Sequence, residues 1–293
     1  MRESSDNKYI KFAGVAFLVL LFGLLCYRNI VDGIFSKTSG INVAIVGDRS
    51  VALLILRPDE DILGLIKFPE KLKIKIYNSA AQYPIGSLWE YGLNEKQPYP
   101  IFEKSLGLSI GVAISRTIKI HGDVSLEEVL GNLHKINLKT DLSLRDRFLI
   151  RQYLVDSVTS KKVLEMDIPS SGMDKITEPD GKEFLMFNSV ISLWSKNKFL
   201  LESILNENVD LSVNNISGLV GLGISVSRQL EAAGFRVVEV KTDPSKDVQG
   251  SGCIFIIKGI YPAAEKFLLE QLNCVKHSQV SSESEKGIDL WLK

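Results

Sequence analysis

Two carboxylates and two cations come closest to a usable chemistry: Asp48 and Arg49 in Val46-Gly47-Asp48-Arg49-Ser50, and Glu70 and Lys71 after Phe68-Pro69. Carboxylates that hold a divalent metal and cations that hold phosphate oxygens are the parts of a phosphoryl-transfer site, provided they converge on one pocket. Their positions in the chain do not establish convergence, and exposed turn charges would have the same composition. A second cluster, Gly218-x-x-Gly221-x-Gly223, follows Asn214 and Asn215 between a strand-like and a helix-like segment. Backbone amides at a helix N-terminus suit anions. The spacing is not the dinucleotide fingerprint, however, and the acidic residue expected downstream is only approximated by Glu239. A tight turn with close helix–strand packing accounts for these glycines without a ligand, and Asn214 and Asn215 then satisfy turn amides or cap the helix. His121, His134 and His277 are isolated, so zinc is not expected. There is no Gly-x-Ser-x-Gly, Cys–His pair or Walker loop. No cofactor is expected, and Mg²⁺ enters only with the phosphoryl-transfer reading. Trp89, Trp194 and Trp291 are well separated and read as core or interface residues, or as surfaces on which a sugar stacks.

The 293 residues carry 35 Lys plus Arg against 35 Asp plus Glu. This balance argues against nucleic acid, whose binders show a basic excess or a basic face. Mean hydropathy is +0.10, and the excess has a local source. Phe12 to Tyr27 reads FAGVAFLVLLFGLLCY without a charge, between Lys11 and Arg28. This is just short of the ~20 residues that span a hydrocarbon core, and Ile10 with the stems of Lys11 and Arg28 extends the reach. A cleaved signal peptide has similar anatomy, but small residues do not follow the apolar run. The expectation is an uncleaved single-pass anchor (12–27) in a plasma membrane, with residues 1–11 cytoplasmic and the bulk extracytoplasmic. Such a tail has no room for a signalling output domain. Cys26 falls in the span. Cys253 and Cys274 can pair in an oxidising compartment or remain two separate buried thiols, since Cys253 opens an apolar run.

The elements that would position these residues are legible as short apolar runs between turn signals. After a linker (28–40), Ile41–Val46, Val51–Leu56 and Ile62–Phe68 read as strands, the last two a hairpin about Pro58-Asp59-Glu60-Asp61. Leu72–Tyr77 alternates apolar and basic, as a half-exposed strand does. Ile85–Leu93 and Ile101–Leu106 read as helices, and Val112–Ile120 as a strand. Ser125 caps a helix. Ser143 with Asp146 opens another, whose charged face of Arg145, Arg147 and Arg151 is expected to meet solvent. Val163–Ile168 is strand-like, and 169–206 reads as a connecting segment. From 207 onward the order is β-α-β-β-α-β, with Gly234 ending the first helix. The expectation is an α/β chain: an anchor, an α/β domain over 41–168, and a small sandwich domain over 207–293.

The last domain resembles the C-terminal domain of LytR-type envelope proteins. The resemblance is carried by Val213-Asn214-Asn215-Ile216-Ser217-Gly218, by Gly221-Leu222-Gly223, and by Leu230-Glu231-Ala232-Ala233-Gly234-Phe235-Arg236-Val237. Residues 41 to about 160 more faintly resemble a reduced LytR-CpsA-Psr catalytic domain. That family is membrane-anchored and transfers lipid-pyrophosphate-linked glycopolymers to peptidoglycan. Val46-Gly47-Asp48-Arg49-Ser50 stands where the family has its Gly-x-Asp-Ser-Arg-like stretch, but Val51 replaces the expected Asp. Phe68-Pro69-Glu70-Lys71 stands where Pro-Arg-Asp is expected, and no Asp-x-x-Gly-Gly-Val follows. The resemblance implies a noncatalytic binding or scaffolding module in cell-envelope assembly, with wall glycan or envelope proteins as partners. Lys71, Asn214, Asn215 and Gly218 are then the candidate ligand contacts. The alternative it implies is a divergent phosphotransferase using Asp48, Arg49 and Glu70 with Mg²⁺.

Overall fold

The computed structural model describes residues 33–293 except 36, 80, 161–162, 246–251 and 278–285, together with six helical positions between 14 and 23. Apart from those positions, the apolar run 12–27 lies outside the described residues, and among the described residues no helix is long and apolar enough to cross a membrane.

The first module is built on β1 (Ile41–Val46), β2 (Val51–Arg57) and β3 (Ile62–Phe68). These strands read as continuous apolar runs because both faces of their sheet are covered. Ala44, Val46, Leu53, Ile55, Ile66 and Phe68 point to one core. Val43, Ile45, Leu54, Leu56, Leu63 and Leu65 point to the other. Next in the chain come β4 (Leu72–Lys75), β5 (Gln82–Pro84), α1 (Leu88–Asn94) and α2 (Pro98–Ile110). Then follow β6 (Arg116–Lys119), α3 (Leu126–Leu133), β7 (Lys139–Thr140), α4 (Leu144–Thr159) and β8 (Val163–Glu165). The central sheet has the order β7-β6-β1-β2-β3-β8. Phe102, Leu106 and Ile110 of α2 close the first core. Val129 and Leu133 of α3, with Ile150 and Leu154 of α4, close the second.

The stretch 169–206, expected as a connector, is folded. It holds β9 (Met173–Thr177), β10 (Glu183–Phe187), α5 (Val190–Lys198) and all but the last residue of α6 (Glu202–Glu207). β9 and β10 form a hairpin that completes a second sheet, β5-β4-β10-β9. Leu185 and Phe187 pack on the first core, and that burial makes the hairpin part of the module. The alternation in Leu72–Tyr77 also misled. Lys73 is buried, because its ammonium is ion-paired with Glu178 and lies 3.9 Å from the Phe184 ring centroid.

The second module follows the expected order with one addition. It comprises β11 (Asp210–Asn215), α7 (Leu222–Ala233), β12 (Arg236–Thr242), β13 (Cys253–Lys258), α8 (Pro262–Glu270), the two-residue β14 (Val275–Lys276) and β15 (Gly287–Leu292). Its sheet runs β12-β11-β15-β13-β14. Gly234 ends α7 at φ 110°, as a glycine after a helix does. Cys253 and Cys274 are disulfide-bonded, with Cα atoms 4.5 Å apart.

Candidate functional site

The register of the central sheet brings the first charge cluster to one end of the molecule. Val46 pairs with both Val51 and Lys119, and Val51 pairs with Phe68. The turn 47–50, the loop 121–124 and residues 69–71 therefore share the end where β1, β3 and β6 finish. The Asp48 carboxylate accepts the Gly122 N–H at 2.8 Å and the Lys119 ammonium at 3.1 Å. The Gly122 amide first, and the ammonium after it, hold Asp48 below its ordinary carboxylate range. Lys119 is itself occupied by the Gly47 and Ile120 carbonyls. Ser50 Oγ accepts the Val124 N–H at 2.9 Å, and the Asp48 N–H donates to Gly122 O. Asp48 thus fastens one turn to another. Arg49, Glu70 and Lys71 are exposed, and no side-chain hydrogen bond or ion pair joins Arg49 to Glu70. A Mg²⁺ at Asp48 would have to displace donors from both oxygens, so these residues do not fit the metal of the alternative reading.

The glycine cluster has a structural account at each position. Gly218 and Gly221 have φ of 74° and 81°, which favours glycine. A Cβ on Gly223 would come within 3.2 Å of both Asn215 and Val240, so α7 lies close on its sheet. Asn215 is fully buried; its amide donates to Leu219 O at 2.9 Å, and its oxygen accepts the Ser217 hydroxyl at 2.7 Å. Asn214 makes a long contact, 3.5 Å, to Leu290 O. Asn215 organises the turn that leads into α7, whereas Asn214 reaches across to the neighbouring strand β15.

That turn opens on a cleft that the sequence did not reveal. About 540 Å³ in volume, it lies between the second sheet and the start of α7. Its apolar wall includes Ile74, Ile76, Leu108 and Phe187, and Val220 enters from the other side with 97 % of its surface exposed. Lys75 supplies positive charge, the ammonium of Lys73 being paired with Glu178, and Gly221 and Leu222 line the cleft at the start of α7. No side chain caps this helix, so its N-terminal amides add partial positive charge there. Lys104 lies over the Tyr77 ring, 4.6 Å from the centroid, at the cleft's margin. An apolar wall with a positive rim suits an amphiphilic anion. The sequence does not show the cleft because its walls come from β4, α2, β10 and the start of α7, which lie far apart in the chain. A second cleft of about 540 Å³, walled by Phe35, Pro58, Leu201 and Lys266, lies on the other side of the junction. Neither cleft is lined by Asp48, Arg49, Glu70 or Lys71.

Other expected and unexpected residues fall elsewhere. Trp89 is core, in edge contact with Tyr99 and Phe102, and Trp194 packs on Phe199. Among the described residues no three His, Cys, Asp or Glu side chains are grouped to hold a metal. An unforeseen carboxyl pair sits at the edge of the central sheet. Thr117 donates its hydroxyl to Glu103 at 2.9 Å and its N–H to Asp141 at 2.8 Å. Burial, reinforced by the charge of Asp141, pushes the Glu103 carboxyl well above its ordinary range, and burial also raises Asp141.

No family model and no curated protein matches the sequence. Among solved structures the chain is similar to the Lin1025 protein from Listeria innocua, at 11 % identity and a TM-score of 0.38, over 54 % of this chain and 98 % of that one. B. subtilis TagT is similar at 11 % identity and a TM-score of 0.42, over 58 % and 93 %. TagT bound to LIIa-WTA is similar at 12 % identity and 0.40, over 56 % and 90 %.

Proposed function

We propose that the chain is a membrane-anchored, extracytoplasmic module of cell-envelope assembly that binds and does not catalyse. The cleft between the second sheet and the N-terminus of α7 is its binding site for an amphiphilic or polyanionic envelope component. The observation that carries the binding reading is the convergence of Lys75 and the uncapped first turn of α7 on one apolar-walled cleft. The anchor is supported by the apolar run 12–27, and the envelope setting by the LytR-type pattern of 207–293. The phosphotransferase alternative draws no support from Asp48, whose oxygens already accept from Gly122 and Lys119.

Full-length protein in nanodiscs should sediment with purified wall fragments that retain their anionic polymer, and less with fragments stripped of it. Lys75 is exposed and Val220 almost fully so, so Lys75→Glu and Val220→Asp should weaken binding about tenfold without changing the melting temperature, each removing a contact of order 1 kcal/mol. Unchanged binding in both variants would refute the cleft assignment. Mg²⁺-dependent transfer of glycopolymer from polyprenyl pyrophosphate, abolished by Arg49→Ala, would refute the noncatalytic reading.

A further inference from the structure

Helix α4 shows four of its apolar residues to the outside. Its inward face consists of Asp146, Arg147, Ile150, Leu154 and Ser157. Arg147, expected in solvent, is buried, donating through Nε to Leu133 O at 2.9 Å and through Nη2 to Lys135 O. Leu144, Phe148, Val155 and Val158 are instead 59 %, 66 %, 40 % and 39 % exposed. Their steps of four, seven and three place them on one stripe of the helix, with Arg151 at the remaining position. The bonds from Arg147 hold the turn at Lys135 against the start of α4, and the next residue, Ile136, is 97 % exposed. Arg145 lies beside the stripe and Arg151 within it, where its long stem can lie along the apolar surface and carry the guanidinium outward, while Asp156 is the one exposed acid of the helix. An exposed apolar stripe that carries arginine and no acid is compatible with a helix lying in a membrane interface.

The chain itself says what lies opposite this stripe. Ile34 and Phe35 donate their N–H groups to Asp146 at 3.1 and 2.8 Å, so the segment arriving from the apolar run is fastened to the first turn of α4. Six Cα steps separate Tyr27, at the end of that run, from Gly33. They extend at most about 20 Å, less than the ~24 Å length of α4 itself. A bilayer that holds the run is therefore within reach of the helix. Of the described residues of the run, Val15, Phe17, Leu18 and Leu20 are themselves 60–66 % exposed.

We propose that the outer face of α4 rests on the surface of the bilayer that holds residues 12–27, with Leu144, Phe148 and Val155 among the headgroups and Arg151 against anionic phospholipid. This rests on the anchor reading above and adds the orientation of the first module: one face of its central sheet is turned to the membrane. The second sheet and the cleft, on the opposite face, are turned away, toward the wall.

The full chain in a Cys26→Ser background, reconstituted in phosphatidylglycerol–phosphatidylethanolamine vesicles, tests this with single fluorophores attached after Phe148→Cys, Val155→Cys, Leu20→Cys or Lys175→Cys substitution. Lys175 is exposed on β9, beyond the opposite core. Labels at 148 and 155 should shift to the blue and be quenched by shallow spin-labelled lipid severalfold more than the label at 175. The label at 20 should be quenched by deep spin label. Leu144→Glu should abolish quenching at 155 and leave thermal unfolding unchanged. If 20 is quenched but 148 and 155 behave like 175, the anchor stands and the surface contact is overturned. If 148 and 155 are quenched but 20 is not, the contact stands without the anchor. If none is quenched, both fall. Equal shielding of 148 and 155 from aqueous iodide in detergent without lipid would assign the stripe to a second copy and overturn the proposal.

Discussion

Asp146 is one residue of a helix cap and also the clamp for the start of the folded chain. It is buried, and besides the Ile34 and Phe35 N–H groups it receives the Ser143 hydroxyl at 2.9 Å. The cap was legible from the Ser143–Asp146 spacing. The clamp was not, because its partners lie 112 and 111 residues away. It also explains why 33–35, read as linker, belongs to the core, where Ile34 is fully buried. Asp146→Ala would strand two buried donors, each costing about 1–3 kcal/mol. Chemical denaturation should show about 2–4 kcal/mol lost, with protease sensitivity rising first at residues 33–40. Glu103 lends itself to a pH test. Its raised carboxyl value means that folding favours the protonated form. The stability it contributes is complete below the ordinary carboxylate value of ~4.3 and is lost as pH rises through the folded value. Glu103→Gln keeps the acceptor for Thr117 and turns an amide donor toward Asp141. The variant should melt level with the wild type near pH 4 and increasingly above it toward pH 8, and a difference that ignores pH would contradict this account.

At the scale of elements, strands buried on both faces were readable as apolar runs, and the caps at Ser125 and Ser143 as start signals. Both serines accept from the third residue onward, Glu128 and Asp146. Faces were harder to read. In α4 the apolar residues are spread over two stripes, and only tertiary packing chose which would be inside. The buried choice includes Arg147 because two backbone carbonyls at the end of α3 need donors there. The β9–β10 hairpin was missed because its residues are only half-buried and its pairing partner β4 lies far upstream. The pairing of the two cysteines, left open by the sequence, follows from β13 and the segment after α8 meeting at one sheet edge, where Ile254 pairs with Val275. The bridge spans 21 residues. A loop of that size is restrained in the unfolded chain by about 3 kcal/mol in the chain-entropy model. Reduction, or Cys253→Ala with Cys274→Ala, should lower stability by about 2–4 kcal/mol. Amide exchange should place the loss in β13 and α8, leaving the central sheet protected.

Across the whole molecule, the function proposed for the cleft requires its two walls to keep their spacing, and one wall comes from each module. The junction is polar and satisfied. Gln229 of α7 donates to Val112 O at 3.2 Å; Gln271, just after α8, donates to Gly40 O at 2.7 Å and accepts the Ser115 hydroxyl at 3.3 Å. Arg57 is fully buried at the same junction and gives its guanidinium to Ile41 O, Leu56 O and Asn42 Oδ1 at 3.0–3.1 Å, while burial pulls its pKa down to about 10. Asn42 in turn donates to Ala113 O, and the Leu201 N–H donates to Ala233 O. Ala113, from the first module, is counted in the apolar core of the second. Glutamine side chains that meet backbone carbonyls fix one docking geometry, since a shifted interface would leave buried amides and carbonyls unpaired. Calorimetry should therefore show a single unfolding transition for the described fold. Gln271→Leu leaves the Ser115 hydroxyl without its acceptor and Gly40 O with only the Thr38 hydroxyl, at a cost of about 1–3 kcal/mol; Gln229→Leu removes the side-chain donor from Val112 O. Because the two glutamines act on one interface, their double variant should lose cooperativity beyond the sum of the singles and split the transition, with the disulfide-bonded module melting separately. Wall-fragment binding should fall with it, although neither glutamine lines the cleft. Were the double variant to melt in two steps yet bind as before, the cleft would not need both walls and its assignment as the binding site would fail.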